Sequence, residues 1–189
     1  MLKGLVKRNR SYRRFEEKYI IQKETLLGLV DLARHTPSAA NKQPLKYLLS
    51  CAKEVNEKIF QQLGWAGYLK DWDGPKEGER PSAYIIILGD KNESNWLEYD
   101  CGIAAQTILL GAVEKGLGGC IVASVKREPL SKALNLPTRL EIILVIALGK
   151  PAEKIVIDEI EKNGDIKYYR DKNDVHHVPK RKLKDILLP

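Results

Sequence analysis

The segment from Asn95 to Leu117 constrains the fold more than any other part of this sequence. Small residues alternate with large apolar ones along it, so that a helix built from it has no polar face: the run from Tyr99 to Val113 reads Y-D-C-G-I-A-A-Q-T-I-L-L-G-A-V. A helix that is apolar all round is buried on every side. The segment therefore predicts a central helix that is covered by the rest of the chain and by a second subunit.

The segments around this helix predict an alternation of helices and strands. Continuous apolar runs typical of buried strands span Lys46–Ala52, Ala83–Gly89, Gly119–Val125 and Leu140–Leu148. Helical spacing of apolar residues indicates helices over Glu24–His35, Glu54–Leu63 and Lys126–Asn135. Some connections are too short for parallel crossovers. We therefore expect an α+β sandwich over residues 1–149, with a mixed or antiparallel central sheet flanked by helices.

Residues 150–189 are expected to extend this domain rather than to form another. Asn163 and Gly164 predict the turn of a hairpin inserted between Ile155 and Tyr169, and the chain closes with an apolar stretch at residues 183–188. A lone hairpin is marginally stable in water. The extension should therefore dock on its own core or on a partner subunit.

The charge of the chain points to a compact anion. Thirty-two basic and 25 acidic residues give a net charge of +7, and the first 24 residues alone carry eight basic and three acidic side chains, a local excess of +5. The sequence lacks zinc-finger spacing, aromatic ribonucleoprotein motifs and a long basic helix, so we expect no nucleic-acid partner. A bound phosphate is the more specific partner for this N-terminal excess.

The cysteines and the hydropathy of the chain exclude other classes. Cys51, Cys101 and Cys120 have neither disulfide nor metal-site spacing, and the histidines add no metal pattern. No apolar stretch is long enough to span a bilayer, and the N-terminus lacks a secretory signal. We expect a cytoplasmic protein with reduced thiols, no metal and no membrane partner.

Three stretches are more specific than their surroundings. Arg10–Phe15 places a hydroxyl between guanidinium groups, as a phosphate monoester requires, although a solvated basic face would look the same. Pro37–Pro44 offers small residues and amides for a flat ligand, or forms an ordinary polar connection. Gly116–Val125 is a glycine-rich passage from helix to strand, and it is not a Rossmann fingerprint.

In this order and spacing, the three stretches resemble the nitroreductase family of flavoenzymes. The family signature has R-S-x-R-x-F near the N-terminus, then P-S-x-x-N-x-Q-P, then a long buried helix that ends in G-L-G before a strand. The resemblance implies an FMN-containing homodimer with a three-layer sandwich fold, two flavin sites at the subunit interface, and C-terminal extensions exchanged between subunits. Leu45 and Lys46 replace a bulky aromatic residue that is common in relatives, so substrate preference is the property least carried over.

The resemblance also implies residue roles. Arg10, Ser11 and Arg13 would hold the ribityl phosphate, with Asn9 where relatives often carry Arg or His. The flavin of the other subunit would be contacted by Pro37, Ser38, Asn41 and Gln43. The isoalloxazine would lie along Ala123, Ser124 and Val125. Lys180 and Lys182 would replace the family's late phosphate-binding pair, because an extended backbone places them on one face.

The implied activity passes electrons from NADH or NADPH through flavin N5 to a nitroaromatic, a quinone or a similar small acceptor by a ping-pong mechanism. Since the cofactor carries the redox chemistry, no catalytic side chain is expected. His35, Cys120, His176 and His177 are predicted to be structural or surface residues. Two alternatives stay open: a flavin-binding sensor or storage protein without turnover, and an enzyme that consumes its flavin.

Overall fold

The central sheet of the molecule is antiparallel throughout. The computed structural model describes residues 1–90, 92–94 and 96–188. The strands of the central sheet are β1 (Leu45–Ser50), β2 (Ala83–Asp90), β3 (Gly118–Val122) and β4 (Leu140–Gly149). They are arranged in the order β1-β2-β4-β3, and each pair of neighbours is antiparallel. The predicted antiparallel sheet is confirmed.

Helices cover both faces of this sheet. They are α1 (Leu2–Arg8), α2 (Lys23–Arg34), α3 (Lys53–Phe60), α4 (Leu97–Glu114) and α5 (Arg127–Ala133). Alternate residues of β2 face opposite sides, so that Ile85 and Ile87 pack with α2 and α4 while Tyr84 and Ile86 pack with α3 and α5. The domain is therefore the expected three-layer α+β sandwich.

Two element boundaries differ from those predicted. The strand expected to reach Val125 ends at Val122, because the chain leaves the sheet there. The helix expected from Asn95 begins at Leu97 among the described residues, and Asn95 itself lies outside them. Along α4 the residues Tyr99, Ile103 and Gln106 form a stripe on one face that the chain leaves exposed. One subunit thus buries this helix on some sides only.

The C-terminal extension forms a second, small sheet. Its strands are β5 (Ile155–Ile160), β6 (Tyr169–Arg170) and β7 (His176–Arg181), in the order β5-β7-β6. The predicted hairpin between Ile155 and Tyr169 is wrong: the chain does turn at Gly164, but β5 then pairs in parallel with β7. A parallel pair needs a long connection, and residues 161–175 provide it.

The start of the extension packs on its own subunit. Pro151 forms a bridge with Phe15, whose fully buried ring lies against Gly149. After β7 the chain makes one short 3-10 turn, Leu183–Asp185, and leaves its last apolar side chains exposed. Contact of this end with a partner subunit stays a prediction. Within the described residues, no helix is both long and apolar enough to cross a membrane.

Candidate functional site

The N-terminal basic stretch lies along the outer edge of β3. Ser11 forms a parallel bridge with Gly119, and the Tyr12 amide donates to the Gly119 carbonyl at 3.0 Å. Just before this bridge, the buried Asn9 side chain donates to Gln106 Oε1 of α4 at 3.2 Å. The stretch from Asn9 to Tyr12 is therefore fixed to the core, and its arginines project from a defined position on the sheet edge.

A buried carboxylate holds the backbone of this stretch. Glu153 Oε1 accepts hydrogen bonds from the backbone amides of Arg13, at 2.5 Å, and Arg14, at 3.1 Å. Its other oxygen, Oε2, accepts from the Arg170 guanidinium at 3.0 Å. The Glu153 side chain is only 3% exposed. The first residues of the extension therefore also hold the N-terminal stretch in place.

The guanidinium groups of Arg10 and Arg13 are held by neutral partners. Arg10 donates to the backbone carbonyls of Asn9 and Val6, at 2.5 and 3.0 Å. Arg13 donates to the Ser11 carbonyl at 3.2 Å and packs over the Tyr168 ring at 4.8 Å. Within the described ranges, neither guanidinium forms an ion pair with a carboxylate. Both arginines therefore keep their charge available for an anion.

The loop at residues 37–44 is tied down by a carboxylate on α4. Ser38 donates its hydroxyl hydrogen to Asp100 Oδ2 at 2.5 Å, and the Ala39 amide donates to Oδ1 at 3.0 Å. Ser38 Oγ in turn accepts from the Gln43 amide at 2.9 Å. Asp100 is 4% exposed. Because its hydroxyl hydrogen is used by Asp100, Ser38 can meet a ligand only as a hydrogen-bond acceptor.

The backbone of this loop is unusual. Residues with left-handed φ angles near 50° are Ala40, Asn41 and Gln43. Such angles are uncommon for residues with a Cβ and persist where the surroundings impose them. The side chains of Pro37, Asn41 and Gln43 are exposed, so the loop presents its proline and amides to solvent.

The loop after β3 is held by an arginine. Arg127 donates to the carbonyls of Ala123, Ile142 and Ile143, at 3.3, 2.9 and 3.0 Å. Ile143 lies at a register irregularity in the pairing of β4 with β2. The Arg127 guanidinium thus satisfies carbonyls that β3 no longer reaches once it has left the sheet.

The same loop also contacts the segment after α3. Val125 forms a bridge with Leu63, and the Gly64 amide donates to the Ser124 carbonyl at 2.8 Å. Ala123 and Ser124 remain exposed. The backbone of residues 123–125 is therefore fixed and borders solvent, and its contact with an isoalloxazine ring stays a prediction.

Within one chain, the 37–44 loop and the 123–125 loop do not meet. Both lie at the end of the sheet where β1 and β4 begin and β3 ends. They follow opposite edge strands, however, which are three strand spacings or about 14 Å apart. In one subunit the two loops are therefore separate parts of the surface.

Comparison with known proteins identifies the family. A model of the nitroreductase family matches residues 6–150, well over half of the 189 residues. The chain belongs to the nitroreductase family. The resemblance found in the sequence motifs is thereby confirmed.

The nitroreductase family is also the family of the relatives and of the solved structures. A protein of Methanothermobacter thermautotrophicus, provisionally named NADH dehydrogenase/NAD(P)H nitroreductase, is 28% identical over 155 residues, 78% of this chain and 76% of that protein. A nitroreductase family protein from Clostridium difficile 630 shares the fold with a TM-score of 0.65 at 23% identity, covering 79% and 83% of the two chains. An FMN-dependent nitroreductase from Clostridium difficile R20291 also has a TM-score of 0.65, at 22% identity and 82% and 89% coverage.

Lys180 and Lys182 lie apart from Arg10 and Arg13. Lys180 is exposed and lies four residues after His176, about 13 Å farther along the extended strand β7. Lys182 forms an ion pair with Glu161. Arg181 donates to the Lys162 carbonyl at 3.0 Å. One subunit therefore does not bring these lysines to Arg13, and their role stays a prediction that depends on a partner.

Three supporting residues were not predicted from the sequence: Asp100, Arg127 and Glu153. Asp100 is an acid within a largely apolar helix, but nothing in the sequence indicated its partners. Glu153 and Arg127 are single charges among many. Asp100 and Glu153 bond segments far apart in the chain, and Arg127 bonds carbonyls left unpaired by the sheet, so only the fold reveals all three.

Proposed function

We propose that this chain is an FMN-dependent oxidoreductase that passes electrons from NADH or NADPH to a nitroaromatic, a quinone or another small acceptor by a ping-pong mechanism. Membership of the nitroreductase family supports the reaction class. The observation that carries the proposal is that Arg10 and Arg13 are held in place without an acidic partner. Both are fixed at the edge of β3, and in the described part of the chain no carboxylate neutralises either. A fixed, uncompensated pair of guanidiniums is what a phosphate ester requires.

FMN, when bound, would supply the redox chemistry between the two substrates. The protein's part is to bind and orient it. Arg10, Ser11 and Arg13 would hold the phosphate, and the exposed backbone of residues 123–125 would lie along the ring system. Asn9 would act indirectly, because its side chain is buried against α4.

The spacing of these groups along β3 favours the assignment. Ser11 pairs with Gly119 near the start of β3, and Ser124 lies in the loop just after the strand ends at Val122. The basic stretch and the exposed loop therefore lie toward opposite ends of one strand. The residues available at each end therefore match the chemistry of the corresponding end of the cofactor.

A homodimer would complete the site. The exposed stripe on α4 includes Tyr99, which is 66% exposed, and Ile103. Exposed apolar surface of this kind is typical of a protein interface. Association through this stripe would also allow Ser38, Asn41 and Gln43 to approach the flavin of the other subunit. Exchange of the apolar C-terminal residues between subunits belongs to the same proposal.

Lys180 and Lys182 are proposed to reach the phosphate from the partner subunit. The alternative is a solvated basic cluster. Because Lys182 already pairs with Glu161, Lys180 is the better candidate of the two. If the assignment holds, Lys180→Ala lowers the ratio of FMN to riboflavin affinity about tenfold, since a charged hydrogen bond contributes roughly 1.5–3 kcal/mol. If only Arg181→Ala changes this ratio, the segment is right and the face of the strand is wrong.

The first experiment is to purify the protein, record its absorbance spectrum and identify any flavin released on denaturation. Oxidation of NADH and NADPH is then measured with a quinone and a nitroaromatic, and parallel double-reciprocal plots would support the ping-pong mechanism. Bound FMN without acceptor-dependent turnover would instead indicate a sensor or storage protein. Loss of the flavin itself would indicate an enzyme that consumes it. Failure to bind FMN would refute the proposal.

The shared site is tested with mixed dimers. Arg13→Ala and Asn41→Ala should each damage the site, but from opposite subunits. A heterodimer of the two variants should therefore contain one intact site and recover about half of the FMN capacity. Absence of any recovery, or a stable monomer that still binds FMN, would contradict the two-subunit arrangement.

A further inference from the structure

Two adjacent histidines on β7 have opposite surroundings. His176 is 1% exposed and faces the N-terminal basic stretch. His177 stacks on the Tyr169 ring and forms ion pairs with Asp158 and Asp171. Successive side chains of a strand point to opposite faces. The two imidazoles are therefore neighbours in the chain but lie in different environments.

His176 is fixed from several sides. Its amide donates to the Lys154 carbonyl at 2.9 Å, and it pairs with Ile155 of β5 and Arg170 of β6. Its ring packs against Tyr168 with the centroids 5.4 Å apart. The same Tyr168 ring lies under the Arg13 guanidinium. The imidazole therefore occupies a rigid position beside the arginine.

The contact between His176 and Arg13 has a definite chemistry. His176 Nε2 lies 3.4 Å from Arg13 Nη1. Because a guanidinium can only donate, Nε2 must be the acceptor and the ring hydrogen must be on Nδ1. Nδ1 itself is buried without a hydrogen-bond partner in the described structure. The imidazole therefore has no hydrogen bond at Nδ1, but it contacts Arg13 through Nε2.

We propose that His176 is a positioning residue that orients the Arg13 guanidinium toward the flavin phosphate while leaving the charge of that arginine uncompensated. This inference rests on the proposed FMN function. A carboxylate at this position would also hold Arg13, but it would neutralise the charge that the phosphate requires. Glu153 bonds the Arg13 backbone amide and the Arg170 guanidinium instead. The neutral imidazole of His176 can hold Arg13 without neutralising its charge.

The charge state of His176 is consistent with this role. Burial is the largest cause that lowers its pKa from 6.5 to about 4, and the nearby charges of Arg13, Arg170 and His177 act in the same direction. Glu153 opposes them. The imidazole is therefore neutral at physiological pH. If it were protonated, it would lose its acceptor and place a like charge beside Arg13.

The test compares His176→Phe, His176→Gln and His176→Glu with the matched control His177→Gln. The measured quantities are the dissociation constants of FMN and of riboflavin, which lacks the phosphate. His176→Phe removes the acceptor and should weaken FMN about tenfold without weakening riboflavin. His176→Gln supplies an amide oxygen and should recover most of this loss. His177→Gln should leave both constants unchanged.

His176→Glu separates orientation from charge. It keeps an acceptor near Arg13 but adds a negative charge, so it should weaken FMN at least as much as His176→Phe does. Equal weakening of FMN and riboflavin in the His176 variants would show a merely structural role and overturn the proposal, as would unchanged FMN binding. If His176→Phe does not fold, His176→Gln and His176→Glu still differ in the predicted direction. A wild-type protein that binds neither flavin would refute the proposed function instead.

Discussion

The buried His176 should make the folded chain less stable as the pH falls below neutrality. In the unfolded chain this histidine has its ordinary pKa of 6.5, whereas in the folded chain its pKa is about 4, mainly because burial disfavours the charged imidazole. Since the unfolded state binds the proton first, stability is complete above pH 6.5 and falls as the pH drops toward 4. The difference between the two pKa values corresponds to a contribution of roughly 3 kcal/mol to the free energy of unfolding. About 2 kcal/mol of this contribution is lost between pH 7 and pH 5.

The assay is urea denaturation of flavin-free wild type and His176→Gln at pH 7 and pH 5. Protein concentration is held constant because association contributes to the stability of a dimer. Glutamine does not titrate, and other ionisable groups contribute equally to both proteins. The stability advantage of wild type over the variant should therefore shrink by about 2 kcal/mol at the lower pH.

His177 provides a control of opposite sign. Its hydrogen bond to Asp158 is the largest cause that raises its pKa, so it contributes stability below its unfolded pKa and loses it as the pH rises through the folded value. His177→Gln should therefore cost more stability at pH 5 than at pH 8. If the stability difference between wild type and His176→Gln were independent of pH, the assignment of His176 as a buried neutral imidazole would be wrong.

Three further substitutions test the supports of the site and of the core. Asp100→Ala removes the acceptor of two hydrogen bonds from the 37–44 loop and should lower the unfolding free energy by about 2 kcal/mol in urea; unchanged stability would contradict this support. Arg127→Ala should weaken FMN and riboflavin equally, roughly fivefold by fluorescence titration, because it supports the ring-side loop and not the phosphate; a selective loss of FMN would refute that role. Gly149→Ala places a Cβ 2.6 Å from the Phe15 ring and should lower the free energy of unfolding by about 1–3 kcal/mol, measured as a lower thermal midpoint. In the control Gly28→Ala the added Cβ meets no atom within 4 Å, so the thermal midpoint should not fall.

The order and type of the core elements followed from the sequence because their signals are local. The apolar run at residues 83–89 indicated a doubly covered strand, and β2 is buried along its whole length. The helix predicted over Glu24–His35 is α2, displaced by one residue at each end. The extension was harder to predict. The turn at Gly164 indicated a hairpin, whereas β5 pairs with β7, which lies farther along the chain. A turn residue specifies a reversal of direction, but not which strand is paired.

The site could be predicted only in part, for the same reason. The family motifs located the three segments, and the structure places Ser11 against β3 and the 123–125 loop at its exit. The end of β3 was misplaced by three residues, because the apolar pattern continues through Val125 after the ladder has stopped. Hydropathy does not distinguish a strand from a fixed loop that remains near the core.

The sequence by itself determined the layers of the sandwich, the excess of positive charge at the N-terminus and the family, since each depends on residue types at short spacing. Only the tertiary structure decided which charges are compensated. Glu153 binds main-chain amides more than one hundred residues away, whereas the Arg13 guanidinium lies beside the buried His176. The two neighbouring histidines of the same strand are equivalent in sequence, and burial lowers the pKa of one while carboxylates raise that of the other. Burial and ion pairing are properties of the folded surroundings, so no local pattern could have distinguished them.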